Sequence, residues 1–269
     1  MIDVQTTSAD PVRELFLAWR APDPIARWYT VGRLLRVEAG YCFEYTAGFE
    51  QAHDEAGMRP IPGFPDPTAR YVDRELFPLF KNRLMRPSRP DYAMFIEQLG
   101  FTQPPEPLDF LARSQGYRAT DYFRVYPRPL PVETPEGQRF RVVCFAAGLR
   151  FQTAADQAEA SRLVPGDALC VVPESDNVND PHAHRLDTVD GHHVGYVPRY
   201  HAADLTLLRA RGARITARVL QNNSERAPSH RQLLCVLDAP WPPSFVCLAT
   251  TQHQPLAEVA EDWAAVAGV

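Results

Sequence analysis

The spacing of apolar and polar positions changes several times along the 269 residues. Trp28 to Arg36 and Gly40 to Tyr45 are short runs rich in β-branched and aromatic residues on either side of a turn, which predicts a hairpin. Downstream, Val72, Leu76, Leu79, Phe80 and Leu84 recur near helical spacing and predict a helix over Val72 to Met85. Tyr92 to Leu99 and Leu108 to Ser114 read as two further short helices. After residue 138 the pattern changes to short strand-like runs: Arg139 to Ala147, Ala168 to Val172, Ala183 to Val189, His193 to Pro198, Ala213 to Gln221 and Gln232 to Leu237. A single helix, Arg199 to Arg209, interrupts them. Many short strands separated by turns predict a closed or nearly closed barrel. At the end of the chain Leu256, Val259, Trp263 and Val266 share one helical face, predicting a C-terminal helix that docks on a core.

Proline marks the divisions. It clusters at Pro60 to Pro67, at Pro104 to Pro107 and at Pro127 to Pro135, and the last cluster separates the helix-rich half from the strand-rich half. A stiff, polyproline-like linker is expected there. The chain therefore divides into an α+β domain at 1–126, a linker at 127–138, a β-barrel at 139–250 and a helix at 251–269, an α+β fold class overall. No internal repeat or low-complexity tract is visible.

Composition narrows the function classes. With 45% hydrophobic and 23% charged residues the chain reads as a globular protein. It lacks the run of about 18 apolar residues needed for a membrane span, and its N-terminus lacks the parts of a signal peptide. The expected location is the cytoplasm. A net charge of −5 argues against coating long duplex DNA, so any nucleic-acid contact should be small and local. The five cysteines (Cys42, Cys144, Cys170, Cys235, Cys247) are widely spaced, and the expectation is buried free thiols.

Four segments then occur in a fixed order: GLRF at Gly148 to Phe151, LVPGDAL at Leu163 to Leu169, PESDNVNDPHA at Pro173 to Ala183, and VGYVPR at Val194 to Arg199. Together they resemble a HIRAN domain over residues 139 to 238. The resemblance implies an OB-like barrel, all-β, of the kind that holds the 3′ end of single-stranded DNA. A strand terminus offers an unpaired base to stack, a hydroxyl for an acceptor and phosphates for a cation. Carried over by position, Phe151 is the stacking platform, Asn177 and Asp180 meet the terminal hydroxyl, Arg150 and Arg199 meet phosphates, and Tyr196 is a further contact. The chain departs from the pattern at Val178, where proline is usual, and at Asn179, where end-binding members commonly present an aromatic ring. Structural readings stay open beside these: Asn177 to Asp180 is also good turn chemistry, Phe151 a barrel residue, and Arg199 a first-turn surface residue.

Earlier in the chain, Val31 to Leu35, YCFEYTAGFE and GFPDPTARYVDRELFPLFKNRLM resemble the small N-terminal subdomain of HipA-type toxin kinases, covering most of residues 15 to 86. That resemblance implies a cap that contacts a protein partner. The chain as a whole resembles a group of bacterial HIRAN-containing proteins that carry this pairing.

No Gly-rich loop, H-R-D-type loop, D-F-G, G-x-S-x-G or P-loop pattern is present, so the expectation is a protein that is not an enzyme and needs no cofactor. His182, His184, His192 and His193 are close in sequence, but no cysteine or carboxylate completes a known ligand spacing, and no metal site is expected. The leading reading is a binding protein for single-stranded DNA or its 3′ end with a protein-contacting N-terminal domain. The alternative is a protein-interaction or antitoxin-type regulator that does not bind DNA.

Overall fold

The computed structural model describes residues 12–224 and 226–256. In chain order the elements are β1 (Glu14–Arg20), β2 (Trp28–Val37), β3 (Gly40–Tyr45), α1 (Ala47–Ala56), β4 (Arg70–Asp73), α2 (Pro78–Lys81), α3 (Tyr92–Gln98), α4 (Pro107–Ser114), β5 (Phe123–Pro127), β6 (Pro131–Thr134), β7 (Gly137–Phe145), α5 (Ala154–Arg162), β8 (Ala168–Pro173), β9 (His184–Thr188), β10 (His193–Tyr196), α6 (Arg199–Ala210), β11 (Thr216–Asn222) and β12 (Leu233–Pro240). They form two compact units, each built from separated stretches of chain. Among the described residues, 12–89, 105–128 and 249–256 make the first unit, and 90–104 with 129–248 make the second.

The first unit is an antiparallel sheet in the order β4-β3-β2-β1-β5. The hairpin expected from residues 28 to 45 is its middle, with Arg33 opposite Glu44 and Leu34 opposite Phe43. Side chains alternate across the sheet. Leu15, Leu17, Tyr29, Val31, Phe43 and Tyr45 enter an aromatic core with Phe49, Phe64, Phe80 and Leu111. Phe43 lies 4.1 Å from the Phe64 ring and 5.4 Å from Tyr45, within the range of favourable aromatic pairs.

The opposite face carries an alternating row of charges. Arg70 Nε donates to Glu44 Oε2 at 2.6 Å, Arg33 Nε to Glu44 Oε1 at 2.5 Å, Arg33 Nη1 to Glu14 Oε1 at 3.3 Å, and Arg128 Nε to Glu14 Oε2 at 2.6 Å. Glu44 is fully buried, and the flanking guanidinium groups make that burial tolerable. Beside this row Thr30, Tyr126 and His253 form a buried hydrogen-bonded chain, with Thr30 Oγ1 to Tyr126 Oη 2.6 Å and Tyr126 Oη to His253 Nε2 3.1 Å.

The helix expected over Val72 to Met85 is replaced by β4 and the short α2. Val72 pairs with Cys42 at the sheet edge, the Asp73 carboxylate accepts the Glu75 N–H and ends the strand, and Pro78 at the first helical position restarts the chain as a helix. Strand β1 and helix α1 were not expected from the pattern. β1 is covered on both faces, so its sequence ELFLAWR shows no alternation. α1 buries only Gly48, Phe49 and Ala52, too small an apolar stripe to read.

The second unit contains a seven-stranded antiparallel sheet in the order β10-β9-β8-β11-β12-β7-β6. All six strands expected after residue 138 are present, as is the helix at Arg199. The expected closure is not: β10 and β6 are free edges of the ladder, and one isolated bridge, Ala147 to Tyr196, spans between β10 and the end of β7. Nor is the unit all-β, because α3, α5 and α6 belong to it. Within the proline-rich segment 127–138, Pro131–Thr134 is paired as β6 against β7, with proline at the first position of an edge strand where no ladder N–H is required. α3 is held by amide bonds, Asn223 Nδ2 donating to Gln98 O at 2.9 Å and Gln221 Nε2 to Glu97 O at 2.8 Å.

Cys42, Cys144, Cys235 and Cys247 are buried as expected. Cys170 is not, because it lies on the outward side of β8 between inward Leu169 and Val171. Of the C-terminal helix expected over 251–269, residues 251–256 are described and hold one 3₁₀ turn, Thr251–His253. The rest of that expectation lies outside the described residues. Among the described residues no helix is long and apolar enough to cross a membrane.

Candidate nucleic-acid interface

The GLRF and VGYVPR segments meet through their backbones. The Ala147 N–H donates to Tyr196 O at 2.8 Å and the Tyr196 N–H to Ala147 O at 2.8 Å, a reciprocal pair at the rim of the sheet. Both glycines follow from this approach. At Gly195, with φ of 134°, a Cβ would lie 2.8 Å from the Ala147 carbonyl oxygen. Gly148 has the left-handed φ of 76° that turns the chain into a 3₁₀ turn over Leu149–Phe151. That turn sends Leu149 into the core and leaves Arg150 and Phe151 outside. Phe151 is 74% exposed, and the Arg150 guanidinium carbon lies 4.5 Å from its ring centroid. Leaving a phenylalanine in water forgoes about 1.5–3 kcal/mol relative to burying it. Packing does not account for it. Arg150 has no carboxylate partner among the described residues.

Tyr196 stands opposite Arg185 on β9, with its ring centroid 4.6 Å from that of His193 and the two rings nearly perpendicular. Its hydroxyl donates to Glu174 Oε2 at 3.1 Å, and Asn177 Nδ2 donates to the same oxygen at 2.5 Å. These bonds, Asn177 first and Tyr196 after it, hold the Glu174 carboxyl below its ordinary range. Arg185 Nη2 donates to Asp187 Oδ2 at 2.5 Å, and its Nη1 lies 3.9 Å from Glu174 Oε1.

The loop after Glu174 is bonded to itself. Asn177 Oδ1 accepts the N–H groups of Asn179 at 2.9 Å and Asp180 at 3.2 Å, the side-chain turn that asparagine favours. Asp180 Oδ1 accepts the His182 N–H at 2.9 Å and Oδ2 accepts Arg199 Nε at 3.2 Å. Arg199, the first residue of α6, also donates to the Asn179 carbonyl. Val178 at the tip is 97% exposed.

The predicted residues thus fall into two linked groups. Arg150 and Phe151 adjoin Tyr196 through Gly148, whose Cβ position lies 3.4 Å from the Tyr196 ring, while Asn179, Asp180 and Arg199 form a second group. Asn177 joins them by bonding both Glu174 and the loop backbone. The LVPGDAL segment shapes the scaffold: Asp167 Oδ2 accepts the Val164 N–H at 2.8 Å, and Gly166 and Asp167 exchange backbone bonds with Val219 to start β8 beside β11. Glu174 and Arg185 were not singled out from the sequence. An acidic residue inside PESDNVND gave a faint signal for the first. The second depends on strand register, which residue types do not reveal.

The histidines disperse to separate partners. His182 faces Thr206, His184 Nδ1 bonds the His182 carbonyl, His192 bonds Asp156, and His193 bonds the Gly195 carbonyl. Burial lowers the His184 pKa. Among the described residues no group of three or more His, Cys, Asp or Glu could hold a metal ion.

Residues 140–238 match the HIRAN domain family model. HIRAN domains are associated with DNA binding. Among solved structures, the HIRAN domain of human HLTF is similar at 18% identity and a TM-score of 0.28, covering 38% of this chain and 72% of that one. A protein from Lactobacillus plantarum is similar at 22% identity and a TM-score of 0.31, covering 38% of this chain and 99% of that one. No curated protein matches the chain.

Proposed function

We propose that the HIRAN-matching segment binds single-stranded DNA at its 3′ end and that the protein is not an enzyme. The observation that carries this reading is Phe151, a 74% exposed ring with an unpaired arginine over it, set beside Tyr196 by paired backbone bonds. An exposed aromatic with an adjacent cation suits an unstacked base and its phosphate. In this reading Phe151 stacks on the terminal base, Arg150 meets a phosphate, and Tyr196 lines the sugar. Asn177, Asn179 and Asp180, braced by Arg199, form the wall around the strand end. The test is fluorescence anisotropy with a short single strand bearing a free 3′ hydroxyl, compared with a duplex of the same sequence. Preference for the single strand supports the reading; equal binding or none overturns it.

The first unit is the proposed protein-contacting part, on the HipA-like resemblance of residues 15 to 86, and the proposed setting is the cytoplasm. One observation favours a reading without DNA: Arg199 is already engaged by Asp180, and Asn179 offers no second ring. Under that reading the chain is a protein-interaction or antitoxin-type regulator. It predicts that no strand binds at low salt and that Asn179→Tyr restores none.

A further inference from the structure

We propose that Arg124, held between the Tyr117 and Trp28 rings, anchors a docking surface on the first unit for an acidic, partly apolar segment of a protein partner. This deepens, and rests on, the reading of the first unit as the protein-contacting part. The surface follows from the ladder. Arg124 on β5 stands opposite Ala18 on β1, and Ala18 opposite Thr30 on β2. The short Ala18 side chain does not block the reach of the arginine across β1. Its guanidinium carbon lies 4.2 Å from the Tyr117 ring centroid and 5.8 Å from that of Trp28, within cation–π range of both. Next along the sheet, the Arg20 N–H donates to Tyr122 O at 3.0 Å and Arg20 pairs with Trp28. Tyr117 and Tyr122 are about half exposed, as is Ile25 in the loop that joins Arg20 to Trp28.

Arg124 is a cation short of counter-charge. Its Nη1 donates to the Phe123 carbonyl at 2.7 Å, and it has no carboxylate partner among the described residues. Asp121, whose field reaches it, is bonded to Arg83 Nη2 at 2.7 Å. Desolvation holds the Arg124 pKa below the ordinary arginine value, and the group remains a cation. Arg20 is balanced by Asp23, while Arg118, beside Tyr117, is exposed and has no carboxylate partner among the described residues. This surface therefore carries unbalanced positive charge on a chain whose net charge is −5. The fork of a pinned arginine matches one carboxylate bidentately, and tyrosine, tryptophan and arginine dominate the centres of protein interfaces. A nucleic-acid strand fits less well. Tracking its backbone takes a line of cations beside open rings, whereas the rings flanking Arg124 each have a face against it.

The experiment selects a library of random short peptides on the full chain, then measures one enriched peptide by fluorescence anisotropy. Enriched sequences are expected to carry Asp or Glu beside aliphatic or aromatic residues. Replacing the peptide's carboxylates by amides should weaken binding about tenfold or more, the range of a charge-assisted hydrogen bond. Arg124→Lys keeps the charge and loses the fork, so it should weaken binding similarly. Tyr122→Ala, at an exposed position, should also weaken it, with the unfolding midpoint of both variants retained. If an enriched peptide binds but is indifferent to Arg124→Lys, Tyr122→Ala and amide replacement, the surface is wrong while the protein-contacting reading stands. If no peptide is enriched, the proposal and the reading beneath it fail together. If a short oligothymidylate displaces the peptide from wild type and Arg124→Lys abolishes that displacement, the surface belongs to nucleic acid and the peptide occupant is overturned.

Discussion

Two networks of arginine and carboxylate differ in how completely they are closed. On the first unit's sheet, Arg70, Glu44, Arg33, Glu14 and Arg128 alternate in sign across the strands, and every carboxylate oxygen named in the row has a guanidinium partner. Around Tyr196 in the second unit, Arg199 and Asp180 close on each other and Arg185 Nη1 lies 3.9 Å from Glu174 Oε1, but the neighbouring Phe151 and Arg150 face solvent. The first arrangement is what a sheet needs to bury charge. The second leaves the Phe151 ring and the Arg150 cation over it in solvent.

Breaking the closed network should have the largest effect. Glu44→Ala strands two largely buried arginines without their shared partner, and loss of one member of a buried ion pair costs about 3–5 kcal/mol. Denaturant unfolding should show that loss in the first unit. Phe151→Ala should behave in the opposite way, changing stability by less than about 0.5 kcal/mol. It should nevertheless weaken single-strand binding by about 1–3 kcal/mol.

Acid sharpens the comparison from another side. Burial pushes His253 down to about 4 in the first unit and His201 down to about 3 in the second, so both are neutral in the folded state. The unfolded chain takes up their protons near the ordinary histidine value of about 6.5. Stability should therefore be fully present above pH 6.5 and fall as pH drops towards about 4. Unfolding midpoints measured across that window test the sign. His201→Leu should flatten the second unit's part of the decline. The smallest effects should separate the two arginines. Arg150→Ala should reduce the slope of log affinity against log salt by about 0.7, the value for one phosphate on a single strand. Arg199→Ala, whose charge is already met by Asp180, should change the slope less.

Much of the fold was legible in the chain. β7 and the hairpin β2–β3 lie where β-branched and aromatic runs predict strands, β12 was read from its apolar run although it is buried on both faces, and α6 begins after Pro198 as the pattern requires. β1 was not, because its short run is covered on both faces and shows no alternation, and α1 was not, because Gly48, Phe49 and Ala52 make too small an apolar stripe to read. Barrel closure depends on how strand edges meet, which residue types do not specify, and here a single bridge at Ala147 takes its place. For the candidate site, sequence order brought Arg150, Phe151, Asn177, Asn179, Asp180, Tyr196 and Arg199 into view. It could not show that Arg199 and Asp180 occupy each other, or that register sets Arg185 opposite Tyr196.

Phe151 is 74% exposed, and stacking on a single-stranded base is its proposed role. Titrating a short fluorescent single strand with a free 3′ hydroxyl into wild type and Phe151→Ala at low salt tests it most directly. Saturable binding by the wild type that weakens at least about fivefold in Phe151→Ala, with the unfolding midpoint unchanged, is the predicted result. Equal binding by both proteins, or no binding by the wild type, would contradict it.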